Sequence, residues 1–350
     1  MRLWNLRVLF YISGHGLGHG VRMAEVMRHL LRHPQVEIDV RTAASASLFP
    51  VESRLRVERA AIDAPVHESA DALRIDGPAT AAAWERSLTE NGKVVSTEAR
   101  IVRELQAQLI VADIPYLAGD IAACAGVPCI GISNFLWNWI LEPHLSPAAA
   151  RAVMAGYGAM QSYWRLPFAH SEGLDGLHKV IETPLIAPKP HKTRAAVRER
   201  LGLPRNRHTV LLTFRGSISP EVLDRAQRMA SNYHFLDLLS TMRQFPDLSF
   251  ADIAEASDIV MGKLGYGLVA GCVANQWPLL YIAREGFRED AITSREAPRY
   301  TPMHEMPRAD FEGGRWNRHC DVLLQLPVPG ATMEFSGAAT CAERIIRFLA

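Results

Sequence analysis

The chain has 350 residues, 48% of them hydrophobic, with 38 Lys plus Arg against 37 Asp plus Glu. That length points to two domains rather than one. The balanced charge excludes a bulk positive field for nucleic acid or an anionic membrane, so any anionic ligand needs a local site.

The elements follow in chain order. Arg7–Ser13 reads as a buried strand, and Val21–Arg32 as an amphipathic helix with Met23, Val26, Met27, Leu30 and Leu31 on one face. Val36–Thr42 is a second strand. After a less readable stretch, Val94–Gln106 reads as a helix, Leu109–Asp113 as a strand, then a helix to about Ala125, a turn at Gly126-Val127-Pro128 and the strand Cys129–Ser133. Strand and helix in this alternation mean a parallel sheet covered on both faces. The proline-rich Thr183–Lys192 reads as a linker. The pattern then restarts: helix Thr193–Leu201, strand Thr209–Phe214, a turn at Arg215–Ser217, helix Phe250–Ser257, strand Asp258–Gly262, helix Leu268–Asn275, strand Pro278–Ala283 and a last helix Gly337–Leu349. The stretch between Phe214 and Phe250 reads as short of a full set of strands.

The five cysteines form no C-x-x-C pair and are odd in number, which argues for a reducing compartment without a disulfide framework. The N-terminal MRLWNLRVLFYIS is too short in its apolar part for a signal peptide, and no stretch approaches the ~18 apolar residues of a membrane span. A cytoplasmic protein is the expectation.

Two glycine loops carry the chemistry. In the first, SGHGLGHG (Ser13–Gly20), a strand hands over to a helix. Gly16 and Gly18 there expose backbone N–H groups at a helix N-terminus, a ready anion site. A dinucleotide fingerprint fails: His19 stands where its third glycine belongs, and the second strand ends in Arg41-Thr42 rather than an acid. No P-loop is present. His15 and His19 face the carboxyl end of the strand, where a histidine takes a proton from a substrate hydroxyl near neutral pH; the alternative is a histidine that only braces the turn. They are four residues apart, but no third ligand lies at a recognisable spacing, so no metal site is expected.

The second loop, GKLGYG (Gly262–Gly267), again opens a helix, with Lys263 as a cation beside Gly265, Tyr266 and Gly267. Downstream, Glu289 and Asp290 either accept hydrogen bonds from sugar hydroxyls or form a solvated acidic loop. A base in one Rossmann-like unit and a diphosphate cradle in the other suggest group transfer from a nucleotide-bound donor.

The segments SGHGLGHGVR, ADIP, ISNFLWNWI and GKLGYG resemble those of GT-B glycosyltransferase-like proteins. The nearest are the N-terminal part of plant L-arabinokinase and its stand-alone bacterial relatives; more distant is the N-acetylglucosaminyltransferase that makes lipid II. The resemblance implies an α/β GT-B fold, two Rossmann-like domains facing each other across a cleft. Residues 1–182 would be the acceptor-binding domain, 183–192 the linker and 193–335 the sugar-nucleotide-binding domain. Residues 336–350 would be a helix packing back on the first domain. It also implies His19 as base, with His15 and Asp113 beside it, and Asn134, Trp137 and Trp139 on the acceptor side. Gly265–Gly267 and Lys263 would hold the diphosphate, Glu289 and Asp290 would lie near the donor sugar, and Arg215 could add a contact to the diphosphate. Gly271 stands where the superfamily has a glutamate for the donor ribose.

The function implied is transfer of a sugar from a nucleoside-diphosphate sugar, with uridine the expected base, to a small-molecule or glycan acceptor hydroxyl. The transfer would be inverting, with neither metal nor cofactor beyond the donor. The alternatives are a sugar-nucleotide epimerase or hydrolase of the same fold, or a non-catalytic sugar-nucleotide-binding protein.

Overall fold

A computed structural model describes residues 5–214 and 218–350. They divide into two compact units. One comprises the chain up to Glu68, Ile75–Ile186 and Glu334–Ala350; the other comprises Ser69–Arg74 and Ala187–Met333.

The first unit is built on β1 (Leu6–Ile12), β2 (Val36–Thr42), β3 (Leu55–Arg59), β4 (Leu109–Asp113), β5 (Cys129–Ser133), β6 (Ser162–Arg165) and β7 (Val180–Glu182). They form a sheet in the order β3-β2-β1-β4-β5-β6-β7, every neighbouring pair parallel. Val8, Leu9 and Phe10 of β1 and Leu109, Ile110 and Val111 of β4 are wholly buried, as a parallel sheet covered on both faces requires. The order reverses between β1 and β4. Their carboxyl ends therefore form a switch point, the place where open α/β sheets bind ligands. There the Ser13 N–H donates to the Asp113 carbonyl at 3.0 Å.

Two elements of this unit differ from the sequence reading. The helix expected from Val94 starts at Gly77 and runs to Leu105. Its first turns bury little beyond Thr80, Ala83 and Trp84, so the apolar period is faint there. The start is nonetheless marked by a cap, since Asp76 accepts from the Ala79 N–H and a proline sits in the first turn. Strand β3 went unseen because LRVER at a sheet edge is half exposed and charged. The closing helix Gly337–Leu349 packs on the helix Gly18–Leu30.

The second unit holds β8 (His208–Leu212), β9 (Tyr233–Asp237), β10 (Ile259–Lys263), β11 (Leu279–Ile282) and β12 (Met303–Glu305). The order is β12-β11-β10-β8-β9, all parallel, with its own switch point between β8 and β10. Strand β9 corrects the expectation of a missing strand between Phe214 and Phe250. It is an edge strand, largely half-buried, and carries His234 and Asp237, so it lacks a continuous apolar run. The short segment Ser69–Arg74 belongs to this unit because Leu73 joins the core of Val210, Leu212, Phe214 and Met261. The Leu73 carbonyl also accepts from the Glu285 N–H at 2.7 Å. Among the described residues, no helix is long and apolar enough to cross a membrane.

Candidate active site

The first glycine loop leaves β1 at the switch point, and two of its glycines are required by geometry. A Cβ on Gly14 would lie 2.6 Å from the Ala43 Cβ, closer than side chains approach, so glycine lets the loop press against the end of β2. Gly16 has φ +75° with open space where a side chain would be, a backbone conformation that glycine alone adopts freely. The helix begins at Gly18, three residues before the apolar pattern starts. That early start places His19 in the first turn and Arg22 three residues on, on the same face.

His19, Arg22, Asp113, Ser133 and Asn134 form one buried network; His19 is 7% exposed and Asp113 fully buried. His19 Nδ1 lies 2.8 Å from Asp113 Oδ1. Arg22 grips the same carboxylate with two nitrogens, Nε on Oδ2 and Nη2 on Oδ1. Its Nη1 donates to Asn134 Oδ1 at 2.7 Å, and Nη2 also lies 3.1 Å from Ser133 Oγ. Burial pushes the Asp113 carboxyl up, but the Arg22 guanidinium and then His19 outweigh it and hold the group below its ordinary value. The residue after Asp113 is Ile114, with φ +80°. For a β-branched residue that is a strained conformation, of a kind concentrated at functional sites. The surroundings enforce it: the Ile114 carbonyl accepts from the buried Tyr157 hydroxyl at 2.8 Å.

A second carboxyl, Asp63, lies on the loop after β3. Its Oδ2 accepts from Trp137 Nε1 at 3.1 Å, while Oδ1 is buried without a hydrogen-bond partner. Burial pushes this carboxyl up to about 7, against the pull of hydrogen bonds from Ser13 and Trp137. Trp137 also meets the rings of His15 and Phe135 edge-on, at 5.9 and 5.4 Å, and Phe135 in turn meets His19. His15 is half-buried, with its N–H on Ser13 Oγ and Nε2 3.4 Å from Glu68.

The expected acceptor residues are placed as follows. Asn134 is buried and holds Arg22. Trp137 is 1% exposed, and Trp139 is stacked on His170 at 4.4 Å. Both tryptophans are walls packed into the unit. A sugar-stacking platform needs an open ring face, and the face Trp139 turns to His170 is taken.

In the second unit, Lys263 ends β10 half-buried, and Gly265 caps the helix Tyr266–Asn275, of which Tyr266 and Gly267 are the first two residues. A Cβ built on Gly265 meets nothing within 4 Å, so a ligand can approach its backbone closely. Gly262 is glycine because a Cβ would lie 2.2 Å from the Thr213 hydroxyl. Arg215 lies outside the described residues. Glu289 and Asp290 are neither loop acids nor solvated. They are buried in the first turn of the helix Glu289–Glu296 and both grip Arg284, whose guanidinium lies 3.9 Å over the Phe287 ring. Burial raises the Asp290 carboxyl to about 6 even with Arg284 pulling it down. Gly271 faces the Phe250–Trp277 pair, with a built Cβ 3.4 Å from Trp277. A hollow of about 730 Å³ lies at the opposite, amino ends of β8–β10, but the Arg194 and Arg198 that line it are already bound to Asp258 and to backbone carbonyls.

The structure thus brings His19, Asp113 and Asn134 into one network in the first unit, and places Lys263, Gly265, Tyr266 and Gly267 at one strand-to-helix junction in the second. Sequence reasoning missed Arg22, Ser133 and Asp63. Arg22 was visible as an arginine one turn from His19 with a strand-end aspartate waiting, and Asp63 gave no signal in its stretch.

No protein-family model matches the chain. It is 27% identical over 340 residues to the L-arabinokinase of Arabidopsis thaliana, covering 91% of this chain and 32% of that protein, so it spans about a third of that curated relative's length. It superposes on the crystal structure of MurG from Acinetobacter baumannii with a TM-score of 0.54 at 10% identity, over 98% of this chain and 99% of that one. With a UDP-glucosyltransferase from Polygonum tinctorium the TM-score is 0.58 at 11% identity, over 98% and 93%. Likeness at this identity reports architecture, and the architecture is that of the GT-B glycosyltransferases.

Proposed function

We propose that the protein is a glycosyltransferase that moves a sugar from a uridine-diphosphate sugar to an acceptor hydroxyl with inversion and without a metal. The observation that carries this is the His19–Asp113 pair at the switch point of the first sheet, in a chain with the fold of a UDP-glucosyltransferase. With its Nδ1 proton held by Asp113, His19 presents Nε2 as a base. It takes the acceptor's hydroxyl proton as that oxygen attacks the anomeric carbon. The bond from that carbon to the diphosphate oxygen breaks, and the nucleoside diphosphate leaves. The backbone donors around Gly265 and the Lys263 ammonium stabilise the charge that develops on it. In this reading the first unit takes the acceptor and the second the nucleotide.

Gly271 favours a second reading, a sugar-nucleotide-binding protein without transfer, because no side chain there reaches a ribose. Incubation with UDP-glucose and a panel of hydroxyl-bearing acceptors, followed by mass analysis, separates the two. Transfer yields UDP and an acceptor heavier by one hexosyl group, lost in His19→Ala. UDP-glucose bound and returned unchanged with every acceptor contradicts transfer. An altered or hydrolysed sugar in reactions without acceptor points to epimerase or hydrolase chemistry.

A further inference from the structure

The Nη2 nitrogen of Arg22 has two hydrogens and three neighbours: Asp113 Oδ1, Ser133 Oγ at 3.1 Å and His19 Nδ1 at 3.0 Å. Arginine only donates, so one neighbour goes without. If Nη2 gave a hydrogen to His19, Nδ1 would be an acceptor turned toward a carboxylate oxygen 2.8 Å away, lone pair against lone pair. If Asp113 and Ser133 take both hydrogens, Nδ1 carries its own proton and donates it to Asp113.

We propose that Arg22 and Ser133 are positioning residues that, together with Asp113, set the tautomer of His19: the Ser133 hydroxyl takes the second Nη2 hydrogen and so keeps it from Nδ1, which leaves Nδ1 to carry its own proton toward Asp113 and Nε2 as the bare nitrogen. Neither residue need touch a substrate. Arg22 is 4% exposed and Ser133 1%, and both act through the ring they orient. The inference rests on the transferase reading only where it concerns turnover, because the tautomer is a property of the protein without ligand.

Long-range ¹H–¹⁵N spectra of the histidine side chains read the tautomer directly at pH ~8, where an ordinary imidazole is neutral. Wild type is expected to show His19 with Nδ1 protonated and Nε2 bare. Ser133→Ala frees an Nη2 hydrogen for Nδ1 and should move the population toward the Nε2-protonated form, while Ser133→Thr, which keeps the hydroxyl, restores the wild-type pattern. Arg22→Lys keeps the charge beside Asp113 but loses the planar fork, and should give a mixture. UDP release from UDP-glucose should fall with the tautomer, by up to about 10⁴-fold, the scale of a base held in the wrong tautomer. An Nε2-protonated wild type, or a Ser133→Ala protein whose His19 spectrum is unchanged, overturns the proposal. A wild type with Nδ1 protonated, responding to Ser133→Ala but releasing no UDP, upholds the positioning pair and counts against the transferase.

Discussion

The two units use the same device, a strand running through glycines into a helix, and finish it differently. In the first, the loop is backed by a buried ionic network: Asp113 lies between His19 and the fork of Arg22, with Asn134 and Ser133 taking the remaining donors. In the second, the loop stands open at Gly265 with a half-buried lysine beside it, and the following ionic cluster pairs both Glu289 and Asp290 with Arg284. A proton-transfer group needs one fixed orientation, which a saturated network provides. A diphosphate would need backbone donors and a cation, the groups that Gly265 and Lys263 bring together in the proposed reading. The lesson is that similar local sequence ends in a buried ionic network or in an open loop according to what lies behind it.

The contrast breaks most visibly at His19. His19→Ala should lower turnover of UDP-glucose by about 10²–10⁴-fold, the range for loss of a general base. His15→Ala, which touches Ser13 and Glu68 outside the network, should cost less. Turnover should survive EDTA. The next effect is on stability. Asp113→Ala leaves the Arg22 charge buried and should destabilise the protein by about 3–5 kcal/mol in denaturant titrations, whereas Lys263→Ala, at the half-buried end of β10, should shift the unfolding midpoint less. A pH-dependent effect separates Asp63 from its neighbours. Its carboxyl titrates near 7 in the fold and near 3.8 when unfolded, so the native state holds a proton that the unfolded chain has lost. Its contribution is fully present below about pH 4 and fades as the pH rises through 7. Asp63→Asn should flatten that slope and gain on wild type by up to about 4 kcal/mol above pH 7, each pH unit of the window being worth about 1.36 kcal/mol. The smallest effect is at Gly271, where alanine fits in ordinary contact with Trp277 and should stabilise the helix by about 1 kcal/mol with UDP affinity unchanged.

What was legible in the sequence follows from burial. Strands β1, β4 and β5 lie inside a two-sided sheet and read as nearly continuous apolar runs, while β2 reads as an alternating strand with Val36, Ile38 and Val40 as its apolar residues. Strands β3, β7, β9 and β12 are short edge strands with charged or polar residues and leave no such run. In the site, His19 and Asp113 were legible because a glycine loop and a strand end announce them. Arg22 was missed although it stands one turn from His19: inside an amphipathic pattern an arginine reads as the solvent face, and only the tertiary pairing with Asp113 draws it inward. Glu289 and Asp290 were read either as sugar contacts or as an acidic loop, and their buried pairing with Arg284, across a turn, was not legible. Trp137 and Trp139 were expected on the acceptor side, and the structure packs them among His15, Phe135 and His170 as walls of the unit.

The division of labour between the two loops is tested most directly by calorimetric titration of UDP into wild type, His19→Ala and Lys263→Ala. A catalytic loop in the first unit and a nucleotide loop in the second predict that His19→Ala binds UDP as wild type does, while Lys263→Ala loses about 1.5–3 kcal/mol, the worth of a hydrogen bond to a charged group. Equal losses in both variants, or a loss in His19→Ala alone, would contradict that assignment.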